Sequence, residues 1–93
     1  MSEQQIQKKI TAYLEGIGCY VVKVVSATKA GVPDIIGCYE GNFFAIEVKK
    51  PETINRVSKL QEYNLDCIQE AGGSSLVACD VEDVKDFMRG VLQ

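Results

Sequence analysis

Residues 31–51 read GVPDIIGCYEGNFFAIEVKKP, and this segment decides the fold. It contains two runs rich in apolar, β-branched and aromatic residues, at 34–39 and 43–49, which the sequence EGN at 40–42 separates. This composition is typical of β-strands, and a separation this short predicts an antiparallel hairpin. The hairpin would place the start of the first strand beside the end of the second.

Three ionisable residues lie where these two strand ends meet. Asp34 begins the first strand, and Glu47 and Lys49 lie near the end of the second. Because side chains alternate along a strand, Glu47 and Lys49 should share one face while Ile46 and Val48 occupy the other. The hairpin therefore predicts two carboxylates and one ammonium group close together, with apolar residues around them.

A pair of carboxylates in this setting points to a bound cation. Partly buried carboxylates repel each other and cost free energy unless they share a cation, and oxygen ligands favour Mg²⁺ or Mn²⁺. We expect Asp34 and Glu47 to be ligands, with the backbone carbonyl of Val48 as a third. Lys49 would orient or deprotonate a water molecule held by the metal, or offset charge in the transition state. The alternative is a Glu47–Lys49 ion pair on an exposed sheet, with Asp34 as a turn residue.

Signals for helices and strands continue outward from the hairpin in both directions. Two further strands are predicted at 19–25 and 75–79, and apolar residues recur at helical spacing in three other segments. The three helix starts are marked by capping residues, which are Ser2 with Gln5, Ser58 with Gln61, and Asp80. The order αβββαβα predicts an α/β fold with a mixed sheet flanked by helices.

Length and composition exclude several kinds of protein. The chain has 93 residues, so we expect one domain spanning 1–93. It has no histidine, which excludes Ser-His-Asp and Cys-His nucleophile systems and histidine-ligated zinc. Its four cysteines include no C-x-x-C pair, and we expect buried free thiols rather than two disulfides. No apolar run approaches the roughly 20 residues of a membrane span, and the N-terminus lacks a signal-peptide segment. We therefore expect a cytoplasmic protein with no membrane partner.

The net charge of −3 argues against a nucleic-acid partner, but its distribution along the chain is uneven. Residues 1–60 hold eight Lys or Arg and six Asp or Glu, whereas residues 61–93 hold two and seven. A mildly basic face opposite an acidic one is one interpretation, and a mixed solvated surface is the other. Five basic residues near the hairpin and its loops are candidates for phosphate contacts, namely Lys23, Lys29, Lys50, Arg56 and Lys59.

The hairpin sequence resembles a known nuclease signature. Pro33-Asp34, followed by Glu47-Val48-Lys49 with the second acid thirteen positions after the first, is similar to the PD-(D/E)xK motif. The fuller strings at 31–37 and 44–51 resemble the VRR-Nuc family of that superfamily, in particular its stand-alone domains of bacterial or phage type. The resemblance runs from about Glu3 to Phe87. It implies a restriction-endonuclease-like αβββαβ core, to which the last predicted helix would be a C-terminal addition.

This resemblance also implies an activity and a set of site residues. It implies Mg²⁺- or Mn²⁺-dependent hydrolysis of DNA phosphodiester bonds that leaves a 5′-phosphate, with Asp34 and Glu47 as metal ligands and Lys49 as a catalytic residue. It implies catalytic roles for Glu3, the acid of the first helix and a further metal ligand, and for Gln61 of the second. Each of these two has another explanation. An acid is favourable at a helix N-terminus, and Gln61 fits the capping box.

The predicted function is a metal-dependent, structure-selective DNA endonuclease that acts as a homodimer on branched DNA such as four-way junctions. A small chain gains stability from a shared surface, and a two-fold dimer would present two active sites to the symmetry-related strands of a junction. The VRR-Nuc domains and archaeal junction resolvases that the chain resembles work as dimers. Two alternatives are a catalytically silent nucleic-acid-binding module on the same fold and an interaction protein whose acidic C-terminal half binds a basic partner.

Overall fold

The structure is a computed structural model that describes residues 1–91. Its elements follow the predicted order αβββαβα, with a short 3₁₀ turn at Pro51–Thr53 in the connection that follows the third strand. The elements are α1 (Glu3–Gly16), β1 (Tyr20–Lys23), β2 (Ile35–Tyr39), β3 (Asn42–Val48), α2 (Lys59–Glu70), β4 (Ser74–Ala78) and α3 (Val81–Val91).

The three helices begin where the capping residues predict. At α1, Ser2 Oγ accepts from the Gln5 N–H at 3.2 Å and Gln5 Oε1 accepts from the Ser2 N–H at 2.8 Å. The same reciprocal pair is present at the start of α2. At α3, Asp80 Oδ1 accepts from the Asp83 N–H at 2.8 Å. Each cap satisfies N–H groups that the first turn of a helix cannot pair internally, which fixes where the helix starts.

The predicted hairpin is present, with a tighter turn than the sequence indicates. Tyr39 pairs with Asn42, so only Glu40 and Gly41 form the loop. Both have positive φ angles, 50° and 83°, as a two-residue turn of type I′ requires. The Asn42 side-chain amide donates to the Tyr39 carbonyl at 3.2 Å and helps close the loop. The third strand therefore begins at Asn42, one residue earlier than predicted.

The other strand boundaries also differ from the predicted ones by one or two residues. β2 starts at Ile35 rather than at 34, because the chain bends at Asp34, and β3 ends at Val48, so that 49 lies outside it. β1 is the four residues Tyr20–Lys23 rather than 19–25, since its antiparallel partner β2 ends opposite Lys23 at Ile35. β4 is shifted by one residue toward the N-terminus of the chain. These ends depend on tertiary pairing, which local composition does not encode.

The four strands form one mixed sheet, as predicted, and their order in it is β1-β2-β3-β4. The first two pairings are antiparallel and the β3–β4 pairing is parallel. Helices α1 and α3 pack together over one face of this sheet. The main apolar core lies between them and the sheet, and its buried members are Ile6, Ile10, Leu14, Cys19, Ile35, Phe44, Ile46, Val48, Ala78, Val84, Met88 and Val91.

The other face of the sheet is only partly covered. Helix α2 packs there against β3 and β4. A helix with its side chains is roughly 10 Å wide and neighbouring strands are about 4.8 Å apart, so a single helix covers about two strands. The β1–β2 half consequently remains open. Tyr20, Cys38 and Phe43 form a cross-strand row on this face, and Tyr20 is 73% exposed and Phe43 is 44% exposed.

The four cysteines are free thiols, as expected, but only Cys19 is buried and the others are partly exposed. Burial raises the pKa of the Cys19 thiol, with the nearby Cys38 as a smaller cause. Among the helices of residues 1–91, none combines the length and apolar character that crossing a membrane would demand.

The hairpin tolerates no side chain at position 37. A Cβ added to Gly37 would lie 2.5 Å from Phe44 Cζ and 2.5 Å from the Tyr20 carbonyl oxygen. We predict that Gly37→Ala lowers the free energy of unfolding by about 1–3 kcal/mol, the usual cost of overpacking. Gly90→Ala is the matched control, because nothing lies within 4 Å of its added Cβ and alanine favours a helix. Urea unfolding of both variants checks this, and equal stability of the two would contradict it.

Candidate active site

Asp34 is held at the point where β2 and β3 separate. Its Oδ2 accepts a hydrogen bond from the Val48 N–H at 2.8 Å. The regular pairing of the hairpin ends at Ile35 and Ile46, so the Asp34 carboxylate replaces a backbone acceptor for Val48. In an extended strand the N–H and C=O groups of one residue point toward the same edge. The Val48 carbonyl is therefore directed toward the edge where Asp34 lies, in keeping with its predicted role as a ligand.

Glu47 is the buried acid of the site. It lies on the α2 face of β3 and is 3% exposed. The pKa of Glu47 is raised to about 8, mainly by burial and then by a hydrogen bond with Asp34 and the charge of Asp34, while the charge of Lys49 opposes the shift. The structure therefore brings Asp34, Glu47 and Lys49 together, as the hairpin predicts. Without a cation, the Glu47 carboxyl is protonated at neutral pH.

Gln61 connects α2 to this acid. Its Nε2 donates to Glu47 Oε2 at 3.4 Å, a long hydrogen bond, while its Oε1 accepts from the Ser58 N–H at 2.9 Å. The sequence offered two explanations for Gln61, as a helix cap and as a site residue. The side chain makes both contacts, one with Ser58 and one with Glu47. The cap fixes the side chain so that its amide group faces the carboxyl.

Lys49 follows directly after β3 and is half-buried. Its backbone N–H donates to the Ala78 carbonyl at 3.0 Å, which continues the pairing with β4 past the end of the strand. This bond fixes the Lys49 backbone next to Glu47. The side chain is close enough to lower the pKa of Glu47 by its charge.

Glu3 lies in the first turn of α1 and is half-buried. Its charge is a minor cause of the raised pKa of Glu47, so it faces the same region. It does not form a closed cluster with Asp34 and Glu47, however. In the described part of the chain, a different set of three side chains has its ligand atoms within 4.8 Å of one another, namely Cys79, Asp80 and Asp83. Of the predicted site residues, Glu3 is the one that the structure leaves at a distance.

The Cys79 cluster is explained by the start of α3. Asp83 Oδ2 accepts from the Cys79 N–H at 3.0 Å and from Cys79 Sγ at 3.3 Å, and Asp80 is the helix cap. These hydrogen bonds already use the groups that a metal would need. A thiol beside carboxylates is also a mixed ligand set, whereas Mg²⁺ and Mn²⁺ favour oxygen alone. We regard the cluster as a capping structure.

The chemistry of the Asp34–Glu47 pair fits a hard divalent cation. Two neighbouring carboxyls, one of them buried, cannot both ionise at low cost unless a positive charge lies between them. Mg²⁺ needs only one or two carboxylates, because water and substrate phosphate complete its coordination. A cation held by Asp34, Glu47 and the Val48 carbonyl would polarise a phosphodiester and lower the pKa of a water molecule.

One polar residue that sequence reasoning missed lies beside this site. Gln7 is 7% exposed, and its Oε1 is buried without a hydrogen-bond partner within residues 1–91. An unpaired buried acceptor costs about 1–3 kcal/mol. The signal was present in the sequence. Gln7 follows Glu3 by one helical turn and lies on the buried stripe of α1 with Ile10 and Leu14, where an apolar residue would be expected.

The candidate phosphate-contacting residues divide into two groups. Lys23 and Lys50 line a cavity together with Glu3, next to the candidate site. Lys29, Arg56 and Lys59 are exposed on the loops and at the start of α2, and the structure does not gather them around that cavity.

Sequence comparison identifies the family of this chain. The sequence model of the archaeal Holliday junction resolvase family, Hjc, matches residues 3–88. The chain belongs to the Hjc family. This match includes Glu3, Asp34, Glu47, Lys49 and Gln61, and it confirms the PD-(D/E)xK type of nuclease that the sequence predicts. Among curated proteins, none is significantly similar in sequence to this Hjc-family chain.

Solved structures confirm the predicted fold, a restriction-endonuclease-like αβββαβ core with a C-terminal helix. A structure described as a VRR_NUC domain is similar with a TM-score of 0.77 at 21% identity, over 94% of each chain. The Hjc Holliday junction resolvase of Archaeoglobus fulgidus is similar with a TM-score of 0.54 at 17% identity, over 81% of this chain and 65% of that one. The VRR-Nuc-like fold predicted from the hairpin strings is thus confirmed.

The raised pKa of Glu47 makes stability depend on pH. Its value of about 8 lies above the roughly 4.3 of an exposed glutamate. Between these values the folded chain keeps a proton that the unfolded chain has lost, so metal-free stability falls as pH rises from 4.3 to 8. We predict that Glu47→Gln, which cannot ionise, is more stable than the wild type at pH 8.5 by at least about 1 kcal/mol, roughly 4–8 °C in melting temperature.

Thermal melts in EDTA at pH 5 and pH 8.5 check this, with the exposed Glu52→Gln as the control. The difference between Glu47→Gln and the wild type should shrink at pH 5, and Mg²⁺ should stabilise only the wild type. A Glu47→Gln protein that melts below the wild type at pH 8.5 would show that an ionised Glu47 is well accommodated.

Proposed function

We propose that residues 1–93 form one nuclease domain that hydrolyses phosphodiester bonds in branched DNA, with four-way junctions as its substrate. The observation that carries this proposal is the buried Glu47 carboxyl with Asp34 and Lys49 beside it, in a chain of the Hjc family. The family name supplies the substrate class, since Holliday junctions are four-way junctions. A cytoplasmic location without a membrane partner stays a prediction from the sequence.

The site residues have distinct proposed roles. Asp34, Glu47 and the Val48 carbonyl would hold Mg²⁺ or Mn²⁺, with Glu3 as a further ligand. Lys49 touches the reacting phosphate or the attacking water and offsets developing negative charge. Gln61 orients the Glu47 carboxylate through its amide, as the 3.4 Å contact suggests. These assignments place three ligands on the hairpin, a fourth on α1 and the orienting group on α2.

Cleavage should require a hard divalent metal. We predict that the wild type cuts a labelled four-way junction with Mg²⁺ or Mn²⁺ and that excess EDTA stops the reaction. Asp34→Ala and Glu47→Ala should lose both metal binding and cleavage, because each removes a ligand. Lys49→Ala should keep the fold and metal affinity but cut at least about 10²–10³-fold more slowly. Junction, flap, duplex and single-stranded substrates, compared in one assay with calorimetric metal titration, check this.

Lys9→Ala is the control, since Lys9 is exposed away from the site on α1 and its loss removes the same charge. If Lys49→Ala cleaved at nearly the wild-type rate, the assignment of Lys49 as a catalytic residue would be wrong. Tight DNA binding by a wild type that neither binds metal nor cleaves would favour the alternative of a catalytically silent module.

We also propose that the chain acts as a homodimer through the open face of the sheet. This face is defined by Tyr20, Val22, Cys38 and Phe43, which the strand register places on the side that α2 leaves uncovered. A contiguous exposed apolar surface of this kind is typical of a protein contact. Two-fold pairing would present two active sites to the two symmetry-related strands of a junction. A second copy is therefore the partner that suits both the surface and the substrate.

Charges on this face should separate the dimer. We predict that Tyr20→Glu together with Val22→Glu converts a dimer into a monomer at micromolar concentration, because both carboxylates would be desolvated in the contact. Ala12→Glu, which adds an exposed charge to α1 on the opposite layer, should leave the dimer intact. Sedimentation equilibrium checks this. A wild type that sediments as a monomer, or a double variant that still dimerises, would remove the proposal and leave the nuclease assignment unaffected.

A further inference from the structure

The side chain of Gln7 carries an unpaired oxygen inside the fold. Only 7% of the residue is exposed, and its Oε1 is buried with no hydrogen-bond partner among residues 1–91. An amide oxygen only accepts, so the partner that it lacks is a donor or a cation. Because an unpaired buried acceptor costs free energy, we expect a molecule or ion that binds beside Gln7 to supply that partner.

Gln7 lines a cavity of about 500 Å³ that adjoins the acid pair. The wall of this cavity also includes Glu3, which is a proposed ligand, and Lys23, which lies opposite Ile35 at the start of β2. Asp34 is the residue directly before Ile35. The cavity has room for several water molecules, each of which occupies about 30 Å³ in the liquid.

Glu3 and Gln7 share one face of α1. They are four residues apart, so their side chains are neighbours on the helix surface, and both line the cavity. The charge of Glu3 acts on Glu47, so this face of α1 is directed toward the buried acid. Within residues 1–91, Glu3 does not form a closed cluster with Asp34 and Glu47. The polar gap that remains between α1 and the acid pair has room for a cation and its waters.

The charges around this gap indicate which donor Gln7 would meet. A hard divalent cation at Asp34 and Glu47 keeps several waters, because Mg²⁺ dehydrates reluctantly. Such waters are strong donors, since the cation makes their protons more acidic. Lys23 and Lys50 in the wall would repel a bare cation from the cavity itself. A water molecule of the hydrated cation therefore suits the Gln7 oxygen better than the ion does.

We propose that Gln7 Oε1 accepts a hydrogen bond from a water molecule of the divalent cation that Asp34 and Glu47 hold, and that it thereby extends the cation site onto α1. The inference rests on the proposed function, because both need the same cation. Gln7 is a positioning residue in this assignment, since it orients a water and touches neither the ion nor the phosphodiester. Its neutral amide adds an acceptor without another negative charge beside Glu3 and Glu47.

Calorimetric titration of the full chain with Mn²⁺, without DNA, tests this contact. Gln7→Met introduces an unbranched, apolar side chain that has no oxygen. It should bind Mn²⁺ about tenfold more weakly, because a hydrogen bond to a polarised water is lost. Gln69→Met is the matched control, since it makes the same change at an exposed position near the far end of α2, and it should bind Mn²⁺ as the wild type does. Wild-type affinity in Gln7→Met would overturn the proposal.

Melting temperatures separate this role from a structural one. Without metal, Gln7→Met should melt above the wild type, because it removes an unpaired buried acceptor. At one fixed Mn²⁺ concentration the melting temperature of Gln7→Met should rise less than that of the wild type, since weaker binding gives less stabilisation. A lower metal-free melting temperature together with an undiminished rise would show that Gln7 serves the fold, and would overturn the proposal.

A carboxylate at position 7 tests the sign of the ligand. Gln7→Glu keeps an acceptor oxygen and adds negative charge, so it should bind Mn²⁺ at least as tightly as the wild type and more tightly than Gln7→Met. A site for an anion would give the reverse order. Weaker Mn²⁺ binding by Gln7→Glu than by Gln7→Met would overturn the proposal.

The Gln7 amide reports the contact directly. Its side-chain resonances should shift on Mg²⁺ titration with the same concentration dependence as the backbone amide of Glu47, and those of Gln69 should not shift. Unchanged Gln7 resonances in the Mg²⁺-saturated protein would overturn the proposal.

The number of waters on bound Mn²⁺ distinguishes a water contact from direct ligation. This number, measured from electron paramagnetic resonance in water enriched in a magnetic oxygen isotope, should be equal in the wild type and Gln7→Met. One additional water in the variant would show that Gln7 bonds to the ion itself, and would overturn the water contact.

This proposal and the proposed function fail in different ways. If the wild type binds no divalent cation, the metal-dependent nuclease function is wrong. If the wild type binds Mn²⁺ and cleaves a junction, and Gln7→Met matches its metal affinity, only the assignment of Gln7 is wrong.

Discussion

The buried carboxyl of Glu47 constrains the rest of this small molecule. An ionised acid that is 3% exposed has lost most of its hydration, and Asp34 adds a second negative charge beside it. The pair is stabilised by a proton on Glu47, and the proposed cation between the two acids would take the place of that proton. Proton and cation compete for the same position, so metal binding is linked to proton release. Lys49 reduces the cost of ionising Glu47, because its positive charge favours the carboxylate.

The hairpin fixes the strand register that keeps the two acids, Asp34 and Glu47, beside each other. A shift of one residue in the β2–β3 register would turn Glu47 toward the core and Ile46 toward α2. Three features prevent it: the two-residue turn at Glu40 and Gly41, the close fit of Gly37 against Phe44, and the bond from Asp34 to the Val48 N–H. The last of these belongs to the site as well as to the sheet. A ligand of the proposed metal thus also terminates the strand pairing, and site and register are specified together.

The parts of this structure that the sequence predicts are those encoded locally. Helix starts were correct because a capping box such as Ser58 with Gln61 lies within four residues, and the hairpin was correct because its turn is short. Strand ends were wrong by one or two residues, since the bend at Asp34 depends on Val48, fourteen positions away. Gln7 was overlooked because a polar residue on an apolar stripe stands out only when the stripe is known to be buried. The position of Glu3 at a distance from the acid pair depends on the packing of α1 and has no local signal.

The position of the open face of the sheet depends on the buried acid of the site, Glu47. Three helices of roughly 10 Å width can cover about six strand positions, and a four-stranded sheet presents eight, four on each face. Two strands must therefore stay uncovered on one side. Helix α2 lies over β3 and β4, where Gln61 reaches Glu47, and a shift toward β1 and β2 would expose that carboxyl to water and remove its amide partner. The requirement to enclose the acid thus fixes which half of the sheet is left apolar and open. In this way the chemistry of one side chain decides where a second copy of the chain would have to bind.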